Sequence, residues 1–93
     1  MINITDDGAR DLINAVVIQA AKDYRSALYK YNTAKCRQDK QDQRNIIGEC
    51  EFFFRTNLSA YSDLDGNKII ETIIEHVRLS LEKKGMIMEV PKV

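Results

Sequence analysis

From Asp6 to Tyr31 the chain reads DDGARDLINAVVIQAAKDYRSALYKY. Its apolar residues fall at Ala9, Leu12, Ile13, Val16, Val17, Ala20, Ala21, Tyr24, Leu28 and Tyr31. Steps of three and four repeat the period of an α-helix and gather these side chains into one stripe. Ala15 and Ile18 widen the stripe, while Arg10, Asp11, Lys22, Arg25 and Lys30 occupy the opposite face. Thr5, Asp6 and Asp7 offer N-cap oxygens and first-turn negative charge. The spacing predicts a first helix over 6–34, about 43 Å long.

The same period returns twice. Ile46, Ile47, Cys50, Phe53 and Phe54, followed by Leu58 and Tyr61, predict a second helix over 43–58. Gly48 lies inside it and suits a close helix approach. Phe52-Phe53-Phe54 spreads aromatics around more than half of its circumference, so one of the three is expected to leave the common core. Ile69, Ile70, Ile73, Ile74, Val77 and Leu81 predict a third helix over 66–84, with Asp65 as N-cap and Gly85 past its end. The stretch from Asn32 to Arg44 is polar throughout and free of Gly and Pro. It reads as a solvated helix end and tight turn, or as a loop. Met86 to Val93, with Pro91, reads as a short strand or extended arm. The fold class is all-α: one domain over 1–93, three helices with a long first one, and an extended tail. The first stripe outruns what two shorter helices cover, which suggests a homo-oligomer.

With 93 residues the chain makes one small domain, too short for a separate cofactor domain. Fourteen basic and fourteen acidic residues give zero formal charge, unlike a generic polyanion binder. No stretch approaches the ~20 apolar residues of a membrane span. The acidic start lacks the basic-then-apolar order of a signal peptide. A cytoplasmic protein without membrane association is therefore expected. Cys36 and Cys50 are then two free thiols, Cys50 as a small core residue.

Chemistry-bearing constellations are sparse. Asp63-Leu64-Asp65-Gly66-Asn67 resembles the start of a calcium loop, but alignment on Gly66 puts Tyr61 and Thr72 where acidic ligands belong. A turn plus helix cap is the better reading. His76 is the single histidine, too few for a zinc site or a nucleophile–base set. Glu49 and Glu51 stand two apart, so a helix points them in different directions. Glu51 and Arg55 stand four apart, an ordinary helix pair. No catalytic residue, metal or cofactor is expected, and the chain does not read as an enzyme.

The charge is uneven. Residues 22–44 carry Lys22, Arg25, Lys30, Lys35, Arg37, Lys40 and Arg44 against three aspartates, a net +4 between acidic flanks. A solvated face accounts for such a segment, and so does a site for an acidic protein or a phosphate-bearing ligand. Tyr24, Tyr29 and Tyr31 lie near enough in sequence to stack on a base.

Three blocks carry a resemblance: Ala15-Val-Val-Ile-Gln-Ala-Ala-Lys-Asp-Tyr-Arg-Ser-Ala27, Glu49-Cys-Glu-Phe-Phe-Phe-Arg55 and Asp63-Leu-Asp-Gly-Asn-Lys-Ile-Ile70. Together they resemble short helical proteins encoded by phages and integrated elements of Gram-positive bacteria. Thr56-Asn57-Leu58 stands where those proteins often place an aromatic residue. The resemblance implies an accessory protein that binds a host protein or complex stoichiometrically, such as an anti-CRISPR-like inhibitor of host defence. Arg25, Tyr29, Arg37, Arg44, Phe52 and Arg55 are the expected partner contacts. The alternatives are a nucleic-acid-binding regulator using 22–44, or an oligomeric sponge for a nucleotide signal.

Overall fold

The computed structural model describes residues 6–60 and 63–91, with side chains from Asn14 onward. The caps expected at Thr5 and Asp6, the stripe positions Ala9, Leu12 and Ile13, and Tyr61 lie outside these residues or side chains. The described residues form three α-helices: α1 (Asp6–Thr33), α2 (Arg37–Phe52) and α3 (Gly66–Glu82). Among the described residues there is no strand. The three-helix, all-α architecture expected from the periodicity is present, with overall extents of 51 × 25 × 17 Å.

α1 ends without glycine or proline because its last polar side chains take over the carbonyls. Asn32 Nδ2 donates to the Leu28 carbonyl at 2.8 Å and Thr33 Oγ1 to the Tyr29 carbonyl at 3.0 Å. Such back-bonding satisfies the orphan acceptors of a final turn. After Ala34-Lys35-Cys36 the chain reverses directly into α2. The Cys36 thiol caps it, accepting the Asp39 N–H at 3.5 Å. Of the two readings of the polar stretch the helix end and tight turn holds, with α1 ending at Thr33 and the turn over 34–36, and α2 begins at Arg37 rather than at 43.

α2 continues into a π-helical turn over Phe53–Asn57, closed by the Leu58 N–H on the Phe53 carbonyl, and then a 3-10 turn over Leu58–Ala60. The wider turn brings both Phe54 and Leu58 into the core, leaves Phe53 half-buried and turns Phe52 outward, 60% exposed. Of the three phenylalanines, the one outside the common core is therefore Phe52. Phe54 meets Tyr24 at 6.1 Å between ring centroids and Phe53 edge-on at 5.4 Å.

Asp65 caps α3 as expected, its Oδ1 accepting the Lys68 N–H at 3.2 Å. Gly66 opens the helix against the Phe54 backbone: a Cβ there would lie 1.7 Å from the Phe54 carbonyl oxygen. Gly66 is thus a point of close backbone approach. At the far end the Met86 N–H reaches the Leu81 carbonyl and the Gly85 N–H reaches the Glu82 carbonyl, with Gly85 at φ +75°. This pairing is a Schellman cap, and the left-handed residue in it favours glycine. Nothing stands near the Gly85 Cα, so Gly85→Ala is expected to cost only the left-handed strain, about 1 kcal/mol. A lower urea midpoint at unchanged slope checks it.

The core is one cluster of Tyr24, Ala27 and Leu28 from α1, Ile47, Cys50, Phe54 and Leu58 from α2 and its turns, and Ile70, Ile73, Val77 and Leu81 from α3. The tail crosses α1 in extended form. The Asn32 amide donates to the Glu89 carbonyl at 3.0 Å and accepts the Glu89 N–H at 2.6 Å, acting as one rung of a ladder. Pro91 beyond it is buried. Between an extended arm and a strand, the tail is the arm. Towards its start α1 is less covered: Val16 is 47% and Ile18 55% exposed.

Candidate functional site: a cationic face between α1 and α3

α1 and α3 run side by side in the same direction. Ala21 shares a hollow with Ile69 and Ile73, Lys22 and Arg25 share one with His76, and Tyr29 and Lys30 share one with Ser80. On α1 the positions are 18, 21, 22, 25, 26, 29 and 30, one helical face. The core-facing stripe holds Tyr24, Ala27 and Leu28 out of this face, which is why Lys22, Arg25 and Lys30 converge on the seam beside it.

The cations of the molecule divide into two groups. Arg55 pairs with Glu51 at 3.2 Å, and Arg78 with Glu75 and Glu82 at 2.5 and 3.0 Å. Lys40 lies 3.9 Å from Glu89 and over the Tyr31 ring, and Lys84 donates to the Tyr29 hydroxyl. Lys22, Arg25 and Lys30 have no such partner among the described residues, as is also true of Lys35, Arg37, Lys68 and Lys83, but the three on α1 stand together on this face. The nearby aspartate, Asp23, is taken up by the Gln19 amide at 2.9 Å. His76 and Ser80 face the three cations from α3, the Ser80 hydroxyl donating to the His76 carbonyl.

The six contacts expected from the sequence do not form one site. Arg25 and Tyr29 line the α1/α3 face, with Tyr29 engaged by Lys84. Arg37 and Arg44 are exposed on the first turns of α2, and Phe52 and Arg55 belong to its other end. Arg37 and Arg55 are separated by about 27 Å of helical rise. The tyrosines are engaged by neighbours: Tyr24 is fully buried, the Tyr31 ring has the Lys40 ammonium over it, and the Tyr29 hydroxyl accepts from Lys84. His76 and Ser80 join the face through tertiary packing, and their sequence spacing carried no signal of it.

The Glu51–Arg55 pair is more than a surface pair. The Glu51 side chain is 8% exposed, and its Oε2 and the Tyr24 hydroxyl lack hydrogen-bond partners among the described residues. Burial pushes the Glu51 carboxyl above the usual carboxylate range, and Arg55 partly offsets this. Tyr24 is raised by burial and then by Glu51. Burial, with the charges of Asp23, Glu49 and Glu51, pushes the Cys50 thiol up to about 11. A thiol that stays protonated at neutral pH is a poor nucleophile, so Cys50 serves as packing.

Asp65 and Gly66 enter α3 as cap and contact, which gives the calcium-like segment a structural role. No described helix is long and apolar enough to cross a membrane. Comparison of the chain with protein-family models, curated proteins and solved structures returns no match.

Proposed function

We propose that the protein works by stoichiometric binding, docking an acidic protein surface against the α1/α3 face. The observation that carries this reading is the row Lys22, Arg25 and Lys30, left without carboxylates in a chain with equal numbers of acids and bases. Unmatched cations on one face raise the encounter rate with an acidic partner and select it over basic ones. The burial of Tyr24 favours a protein over a nucleic acid here, because it takes one of the three tyrosines out of reach of a base. The resemblance of the three sequence blocks to mobile-element proteins favours a host protein, such as a defence component, as the partner.

A photo-crosslinking amino acid at Ser26, exposed beside Arg25, tests the reading in host cells. The expected result is one protein adduct of 1:1 mass, with none from the same probe at Gln41 on α2. Lys22→Glu with Arg25→Glu is expected to weaken that complex about 100-fold, at ~1.4 kcal/mol for each interface cation. Undiminished binding by the double variant, or an adduct to nucleic acid, overturns the proposal.

A further inference from the structure

The cationic row is only half of the α1/α3 face. Toward the entry of α3 the same seam is mostly apolar, lined by Ala21, Leu64, Ile69 and Ile73 with Asp65, Lys68 and Thr72 among them, and Ile18 lies alongside. The apolar hollow encloses about 370 Å³, and the two that follow it about 330 and 340 Å³. They form one trough, because neighbouring hollows share residues. Ala21, Thr72 and Ile73 join the first to the second, and Lys22, Arg25 and His76 join the second to the third. From Ile18 to Lys30 it follows α1 for about 18 Å, a little over three helical turns.

The chemistry of the trough selects its occupant. An extended peptide laid along the apolar end would bring backbone N–H and C=O groups against Ile18, Ile69 and Ile73 and leave them unsatisfied. Of the polar groups there, the Thr72 hydroxyl is already spent on the Lys68 carbonyl at 2.9 Å and Asp65 Oδ1 on the Lys68 N–H at 3.2 Å, which leaves the exposed Lys68 ammonium. A helix arrives with its backbone bonds closed, and the groove between two parallel helices is the place a fourth helix packs in a bundle. A nucleic acid would match Lys68 and the cationic row but would lay charged phosphates against Ile18, Ile69 and Ile73.

We infer that the trough receives an amphipathic helix of about three turns from the partner, its apolar stripe on Ile18, Ile69 and Ile73 and its acidic end beside Lys22, Arg25 and Lys30. This inference rests on the proposed function above and names the segment that the cationic face would recognise. Helix-in-groove recognition of this kind reads apolar anchors at i, i+3, i+4 and i+7.

The test selects random 16-residue peptides displayed against the full chain, and measures the winners with a fluorescein label. Winners are expected to carry apolar residues at helical spacing and Asp or Glu toward one end, and to gain helical circular dichroism on binding. Ile18→Asp changes a residue that is 55% exposed, so the fold is retained and thermal melting verifies it. Both Ile18→Asp and Arg25→Glu are expected to weaken the winners at least tenfold, taking ~1.4 kcal/mol as the loss of one anchor. Winners lost with Arg25→Glu but indifferent to Ile18→Asp overturn the helix and leave the cationic-face reading standing. Winners indifferent to both variants, or no winners at all, overturn both. A chain that is dimeric by light scattering and becomes monomeric with Ile18→Asp fills the trough with its own copy, which also overturns the inference.

Discussion

Gly66→Ala is expected to destabilise the protein by about 3 kcal/mol or more, the upper range of overpacking. The added methyl would lie 1.7 Å from the Phe54 carbonyl oxygen and 2.6 Å from its carbon. Both are backbone atoms, so no side-chain rotation relieves the clash. The start of α3 must lift from the π-helical turn, taking Ile70 and Ile73 away from Phe54. In a domain of this size the loss corresponds to a melting temperature lower by about 15 °C. Asn67→Ala, exposed and one residue on, is the control and should stay within ~0.5 kcal/mol. Calorimetry on the three proteins decides it, and equal melting of Gly66→Ala and wild type would sink the packing argument.

The second large effect is expected at Arg55→Ala, with a signature in pH. Glu51 is buried on α2 and Arg55 is its ion-pair partner. Removing the guanidinium strands a carboxylate, which costs about 2 kcal/mol at neutral pH. The folded Glu51 carboxyl already titrates above its ordinary range, so the folded state holds its proton to higher pH than the unfolded state. Stability from this group therefore falls as pH rises from the unfolded value of ~4.3 through the raised folded value. Arg55→Ala raises the folded value further and steepens the fall. Below pH ~4 the carboxyl is neutral in both states, and the variant should approach wild type. Glu51→Gln should flatten the dependence in either background. Urea titrations at pH 4, 5.5 and 7 measure it, and a pH-independent penalty would show that Arg55 acts through packing alone.

The three helices were legible because their apolar periods were long and clean; α3 is bounded by a cap and a glycine that perform as their types suggest. The start of α2 was not, since Asn32-Thr33-Ala34-Lys35-Cys36 has no breaker. What ends α1 there is side-chain bonding to the last carbonyls, and what begins α2 is a thiol, an uncommon cap. The π-helical turn has no period of its own to read. In the site, Arg25 was legible from charge, and Lys22 and Lys30 from the basic run. The division of that run was not: Lys40 is drawn to Glu89 from the tail, while Arg37 and Arg44 ride on α2, because the hairpin sends the two halves of the run onto different helices. His76 and Ser80 reach the face only when α3 lies alongside α1.

The three-residue reversal between α1 and α2 also orders events in time. A hairpin with so short a connection closes early, since little chain entropy opposes it. α3 must come back to α1 across the whole of α2 and its turns, and its docking completes the domain. The trough is therefore the seam between the first unit to assemble and the last to arrive. Elements that dock last across such a seam tend to open first by local unfolding, and a bound segment spanning both sides acts as a latch on that motion. Amide hydrogens of α3 would then exchange more slowly in the complex than those of the hairpin do, relative to the free protein.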